Sequence, residues 1–95
     1  MTKAEIVNEI AKEKGLDKAE VQAVIEEFMK CVKNALADDK PVYLRGFGSF
    51  ITKKRAQKAA RNITQKTTIT IEAHKIPAFK PAKEFAAEVK KIKID

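Results

Sequence analysis

Tryptophan is absent from this 95-residue chain, and cysteine and histidine occur once each, as Cys31 and His74. One cysteine excludes an intrachain disulfide and any Cys-x-x-Cys metal or redox motif. One histidine excludes the His pair on which many zinc sites are built. A Cys31–His74 nucleophile pair lacks a supporting motif, and Cys31 falls near the apolar face of a predicted helix, where packing is its expected role. No apolar run approaches the roughly 18–20 residues of a membrane span. Met1-Thr2-Lys3-Ala4-Glu5 leads into charged sequence, so no secretory signal is expected. The acids of the first two helices pair plausibly with lysine at i+4, as in Glu26 and Lys30, which is ordinary solvated surface and not a catalytic set. The chain is therefore expected to have no catalytic residues, no metal, no cofactor and no small-molecule substrate.

Acid is also scarce locally. From Lys53 to Lys83 the sole acidic residue is Glu72, against nine cations. Residues 1–47 carry eight basic and nine acidic side chains, whereas residues 48–95 carry twelve and four, so the net +7 comes from the second half. A balanced front half and a cationic back half point to a scaffold plus a phosphate-binding surface. With 44% apolar and 35% charged residues the chain is globular, not disordered. Its length allows one domain over residues 1–95, with a core too modest to spare many residues.

Thr2 and Glu5 have capping-box spacing, so the first helix starts near Lys3. Ile6, Val7, Ile10 and Ala11 form its apolar stripe, and Gly15 is its natural stop. Asp17 and Glu20 repeat the capping pattern. The second helix runs to about Ala37 with a stripe of Val21, Val24, Ile25, Phe28, Met29, Val32, Ala35 and Leu36. That stripe is broad for so small a protein and predicts burial against a partner chain. Asp38-Asp39-Lys40-Pro41 breaks the helix. Strands follow at residues 42–45 and from Ser49, with Gly46-Phe47-Gly48 as the turn between them. Beyond Ile51 no apolar side chain larger than Ala56 occurs until after Gln57, so this strand must leave the body. Thr67-Thr68-Ile69-Thr70-Ile71 returns as a β-branched partner. The two make a ribbon that turns between Arg61 and Lys66 and reaches roughly 35 Å. Pro77 is expected to limit pairing on the return. Pro81 suits the first turn of a third helix over residues 82–91, with Phe85, Ala86 and Val89 inward.

Cations along a ribbon suit the phosphates that line a groove. Lys53 and Arg55 point to one face of their strand and Lys54 to the other. Arg61 suits a narrow minor groove, and Asn62 its degenerate acceptors. Ile63 is large and apolar at a ribbon tip, where its natural use is to wedge between base pairs and kink the duplex. The simpler alternative for Ile63 is a hydrophobic cap on the turn.

Gly46-Phe47-Gly48-Ser49-Phe50, Arg61-Asn62 and Lys75-Ile76-Pro77-Ala78-Phe79-Lys80-Pro81 occur in an order and spacing that resemble the bacterial HU/IHF histone-like DNA-binding proteins, and the resemblance runs from end to end. It implies an α+β fold and an intertwined dimer. A helical base would span residues 1–40, a β-saddle residues 41–80 with a DNA-binding arm at about 53–75, and a C-terminal helix residues 81–91. The dimer core would draw on Phe28, Val32, Leu36, Leu44, Phe47, Phe50 and Phe79. Phosphate contacts carry over to Lys53, Arg55, Lys58, Arg61, Lys75, Lys80 and Lys83, with Lys66 beside them, and minor-groove insertion to Arg61 and Asn62. The resemblance further implies binding of double-stranded DNA with little sequence preference, DNA bending and compaction. It places the protein in the cytoplasm, on the bacterial nucleoid, as a homodimer or as a heterodimer with a paralogue. The chain departs from the family where Ile63 stands for the usual intercalating proline, Lys66 for the usual arm-turn glycine, and Ala82 for a glycine. Two alternatives stay open: a site-specific bender of the IHF type, and a basic-arm module for RNA or protein.

Overall fold

The structure, a computed structural model, describes residues 1–62 and 67–94, with the side chains of residues 58–62 and 67–71 outside that description. The chain divides into two compact units, Met1–Ala35 and Leu36–Asp95.

The first unit is helical. Helix α1 (Lys3–Lys14) begins where Thr2 Oγ1 accepts the Glu5 N–H at 3.2 Å. It ends at Gly15, whose φ of 64° is the left-handed conformation that lets the Leu16 N–H reach back to the Ala11 carbonyl at 2.9 Å. Helix α2 (Lys18–Ala37) follows after a short break. Val7, Ala11 and Val21 are buried, and Ile25 packs against them. Ile6 and Ile10, expected in the same stripe, remain exposed. Cys31 is exposed too, contrary to the packing role expected of it. Helical spacing puts Val24, Phe28 and Cys31 on one face, and all three are exposed.

In the second unit, β1 (Val42–Leu44), β2 (Gly48–Arg55) and β5 (His74–Pro81) form an antiparallel sheet in the order β1-β2-β5. Strands β3 (Lys58–Asn62) and β4 (Thr67–Ile71) form a two-stranded ribbon. The two sheets share one register. Pairs run from Gly48↔Pro81 to Arg55↔His74, and then from Lys58↔Ile71 to Asn62↔Thr67 without a slip. Two residues on each strand, 56–57 and 72–73, interrupt the ladder without shifting it. Pro77 does not limit pairing as expected: it sits opposite Thr52 inside an eight-residue strand. β5 is a sheet edge in this chain, where a missing N–H costs no ladder bond. Pro81 likewise ends β5 instead of opening a helix. Helix α3 (Lys83–Lys90) starts after Ala82, which caps it without a side-chain bond.

Gly48 is required by close approach. A Cβ there would lie 2.6 Å from the Lys80 carbonyl oxygen and 2.6 Å from the Phe79 ring. That closeness lets Phe79 gather its neighbours. Its ring centroid lies 5.0 Å from that of Phe47 and 5.1 Å from that of Phe50, and Phe47 stacks on Phe85 at 5.4 Å. The Ala82 N–H to Phe47 carbonyl bond, 2.9 Å, fastens the turn to the start of α3.

Candidate nucleic-acid interface

Side chains alternate along a strand, and directly paired residues share a face. The register therefore sorts the cations. Ser49 pairs with Lys80, Lys53 with Ile76 and Arg55 with His74, so Lys53, Arg55 and Lys80 stand on one face together with His74. All four are exposed. Lys54 and Lys75 are paired with each other and belong to the opposite face. Five of the sequence-predicted neighbours thus divide into a cationic face and a separate pair.

Lys75 is also occupied. Its Nζ donates to Asp39, whose carboxylate accepts the Thr52 hydroxyl at 2.5 Å as well. Like charges directly across a ladder repel, and Asp39 offsets the Lys54–Lys75 repulsion. Asp39 reaches this point because it holds a left-handed φ of 59° just beyond α2, a conformation aspartate tolerates better than most residues. The Lys75 ammonium first, and the Thr52 hydroxyl second, hold the Asp39 carboxyl below the usual carboxylate range. A comparable pair lies in the first unit: Lys3 Nζ meets Glu26 at 2.9 Å, with Gln22 donating at 3.2 Å. Lys3 foremost, then Gln22, lowers the Glu26 carboxyl.

His74 Nδ1 lies 2.9 Å from the Glu72 carbonyl oxygen, which can only accept, so Nδ1 is the donor in that contact. Lys83, the first residue of α3, joins Lys80 on the wall of an open hollow of about 910 Å³. Arg45 lines the same hollow. It is absent from the sequence-predicted contacts, although it stands directly before the Gly46-Phe47-Gly48 turn. Lys58, Arg61 and Asn62 lie on β3 by their backbone, with side chains outside the described residues. Ile63 and Lys66 fall outside the described residues altogether. Among the described residues no group of three or more His, Cys, Asp or Glu is placed to hold a metal. No described helix is long and apolar enough to cross a membrane.

The sequence profile of the bacterial DNA-binding protein family matches residues 1–90. The chain belongs to that family, the family of HU and integration host factor. It is 36% identical over 90 residues to the DNA-binding protein HU of Thermotoga maritima, spanning 95% of this chain and all of the relative. The corresponding protein of Thermus thermophilus is 38% identical over 91 residues, covering 96% of this chain and 94% of the relative. The integration host factor alpha subunit of Mannheimia succiniciproducens is 31% identical, with 98% and 95% covered. Among solved structures, Anabaena HU in a cocrystal with DNA superposes with a TM-score of 0.91 at 29% identity, over 97% of this chain and all of that one. The fold is the α+β fold of HU and integration host factor.

Proposed function

We propose that this protein is a histone-like, nucleoid-associated protein that binds duplex DNA with little sequence specificity, bends it through minor-groove arms and compacts it. One observation carries the reading. A single register extends β2 and β5 into β3 and β4, and it keeps Lys53, Arg55 and Lys80 on one face of that ribbon. Cations in a row on an extended ribbon neutralise successive phosphates without reading bases. The likeness to an HU solved with DNA supports the duplex as ligand. In this reading Lys58, Arg61 and Lys66 add phosphate contacts further out. Arg61 and Asn62 enter the minor groove, and Ile63 wedges between base pairs. The protein acts as a dimer, with itself or with a paralogue, in the cytoplasm on the nucleoid. It is not an enzyme.

Ile63→Asp tests the wedge. The variant is expected to keep most of its salt-dependent affinity and to lose bending, read as energy transfer between dyes at the two DNA ends. Bending equal to the unmodified protein would reject Ile63 as the wedge. The 31% identity to an integration host factor subunit also favours a second reading, site-specific bending. A footprint confined to one defined sequence, and absent on random DNA, would establish it.

A further inference from the structure

Tyr43 is the chain's only tyrosine, and there is no tryptophan. It is 74% exposed on β1, the outer strand of the sheet. It is the most exposed of the chain's aromatic rings. The register shows what surrounds it. Tyr43 pairs with Ser49 and Ser49 with Lys80, so Tyr43, Ser49 and Lys80 form one row across three strands, on the face that carries Lys53 and Arg55. Arg45 and Lys83 line the same open hollow as Tyr43, and its lining contains no acid.

A ring with cations on one side is the pattern that binds a single-stranded nucleotide. The base stacks on the ring and the backbone phosphate meets the ammonium or guanidinium groups. Inside a duplex, a base's faces are covered by its neighbours and cannot reach the ring. We infer that Tyr43, with Lys80, Arg45 and Lys83, is a stacking site for an unpaired base, so that the saddle face holds a nucleotide that has left the duplex. The site rests on the DNA-binding reading and adds to it a ligand that the arm does not explain.

The missing tryptophan makes the test direct, because intrinsic fluorescence reports Tyr43 alone. The probes are a short oligothymidylate, a perfect duplex, and the same duplex with one unpaired thymidine. Quenching is expected with the oligothymidylate and with the unpaired thymidine, and not with the perfect duplex. Tyr43→Ala is expected to weaken binding to both unpaired probes by roughly tenfold or more, to leave perfect-duplex affinity unchanged, and Tyr43→Phe to restore the loss. Equal quenching by the perfect duplex, or unchanged affinity of Tyr43→Ala for the unpaired probes, would overturn the stacking site. Failure to bind even the perfect duplex would instead overturn the DNA-binding reading.

Discussion

Lys53 and Lys75 look equivalent in the sequence, two cations in one basic stretch. The pairing pattern separates them: Lys53 stands on the face with Arg55 and Lys80, whereas Lys75 is on the other face and bonded to Asp39. Each phosphate neutralised contributes about −0.9 to the slope of log K against log salt. Lys53→Ala should therefore reduce that slope by about one unit for each substituted protomer, so by about two in a homodimer, and Lys75→Ala by much less, in fluorescence-anisotropy titrations over a salt series. Equal reductions would place both lysines on phosphate. Asp39 itself makes a pH prediction. Its folded carboxyl is held below the usual range, so its stabilisation is present above the ordinary carboxylate value and is lost as pH falls from there through the lower folded value. Asp39→Asn tolerates the same left-handed backbone and removes the charge. The variant should show a flatter fall in melting temperature on acidification, and an unchanged acid limb would discount the pair. The presence of cations was readable from composition. The Asp39–Lys75 bond was not, since it joins residues 36 apart through a turn that local patterning does not reveal.

At the scale of elements, the start and stop of α1 were plain because capping is local: Thr2 and Gly15 act within a turn of the chain. The ribbon was also readable, from the loss of an apolar face after Ile51. Pro77 pairs within β5, against its local reading, for a physical reason. Proline's cost depends on whether its strand has a neighbour on the N–H side, and that is a property of the sheet, not of the peptide. Gly48 shows the same dependence. It looks like a turn residue, yet it opens β2 with no room for a side chain under the Lys80 carbonyl and the Phe79 ring. Backbone cannot yield as a side-chain tip does. Gly48→Ala should push β5 and Phe79 away and cost about 1–3 kcal/mol, the usual range for an overpacked site. The measurement is the urea midpoint at constant m-value, and a midpoint within error of the unmodified protein would show that the strands shift freely.

For the molecule as a whole, many large apolar side chains among the described residues are exposed. Among the described residues no side chain is less than 2% exposed, and the buried apolar side chains are only Val7, Ala11 and Val21. Phe28 is 40% exposed and Phe47 46%, although Phe47 sits within an aromatic cluster whose rings lie only 5.0–6.1 Å apart. The broad α2 stripe announced this surplus in the sequence, where Val24, Phe28 and Met29 recur at helical spacing, and all three are exposed. A single chain with so thin a core would be marginal, since burial has to offset about 1–2 kcal/mol of backbone entropy per residue. Folding and association are then one equilibrium, and stability depends on protomer concentration. The melting temperature should therefore rise steadily as protein concentration is raised over two orders of magnitude, followed by circular dichroism. Phe47→Asp, which puts a charge among the clustered rings, should leave a chain that is monomeric and unfolded at micromolar concentration by sedimentation and circular dichroism. A melting temperature independent of concentration, together with a folded monomeric Phe47→Asp chain, would show that these half-exposed rings need no partner.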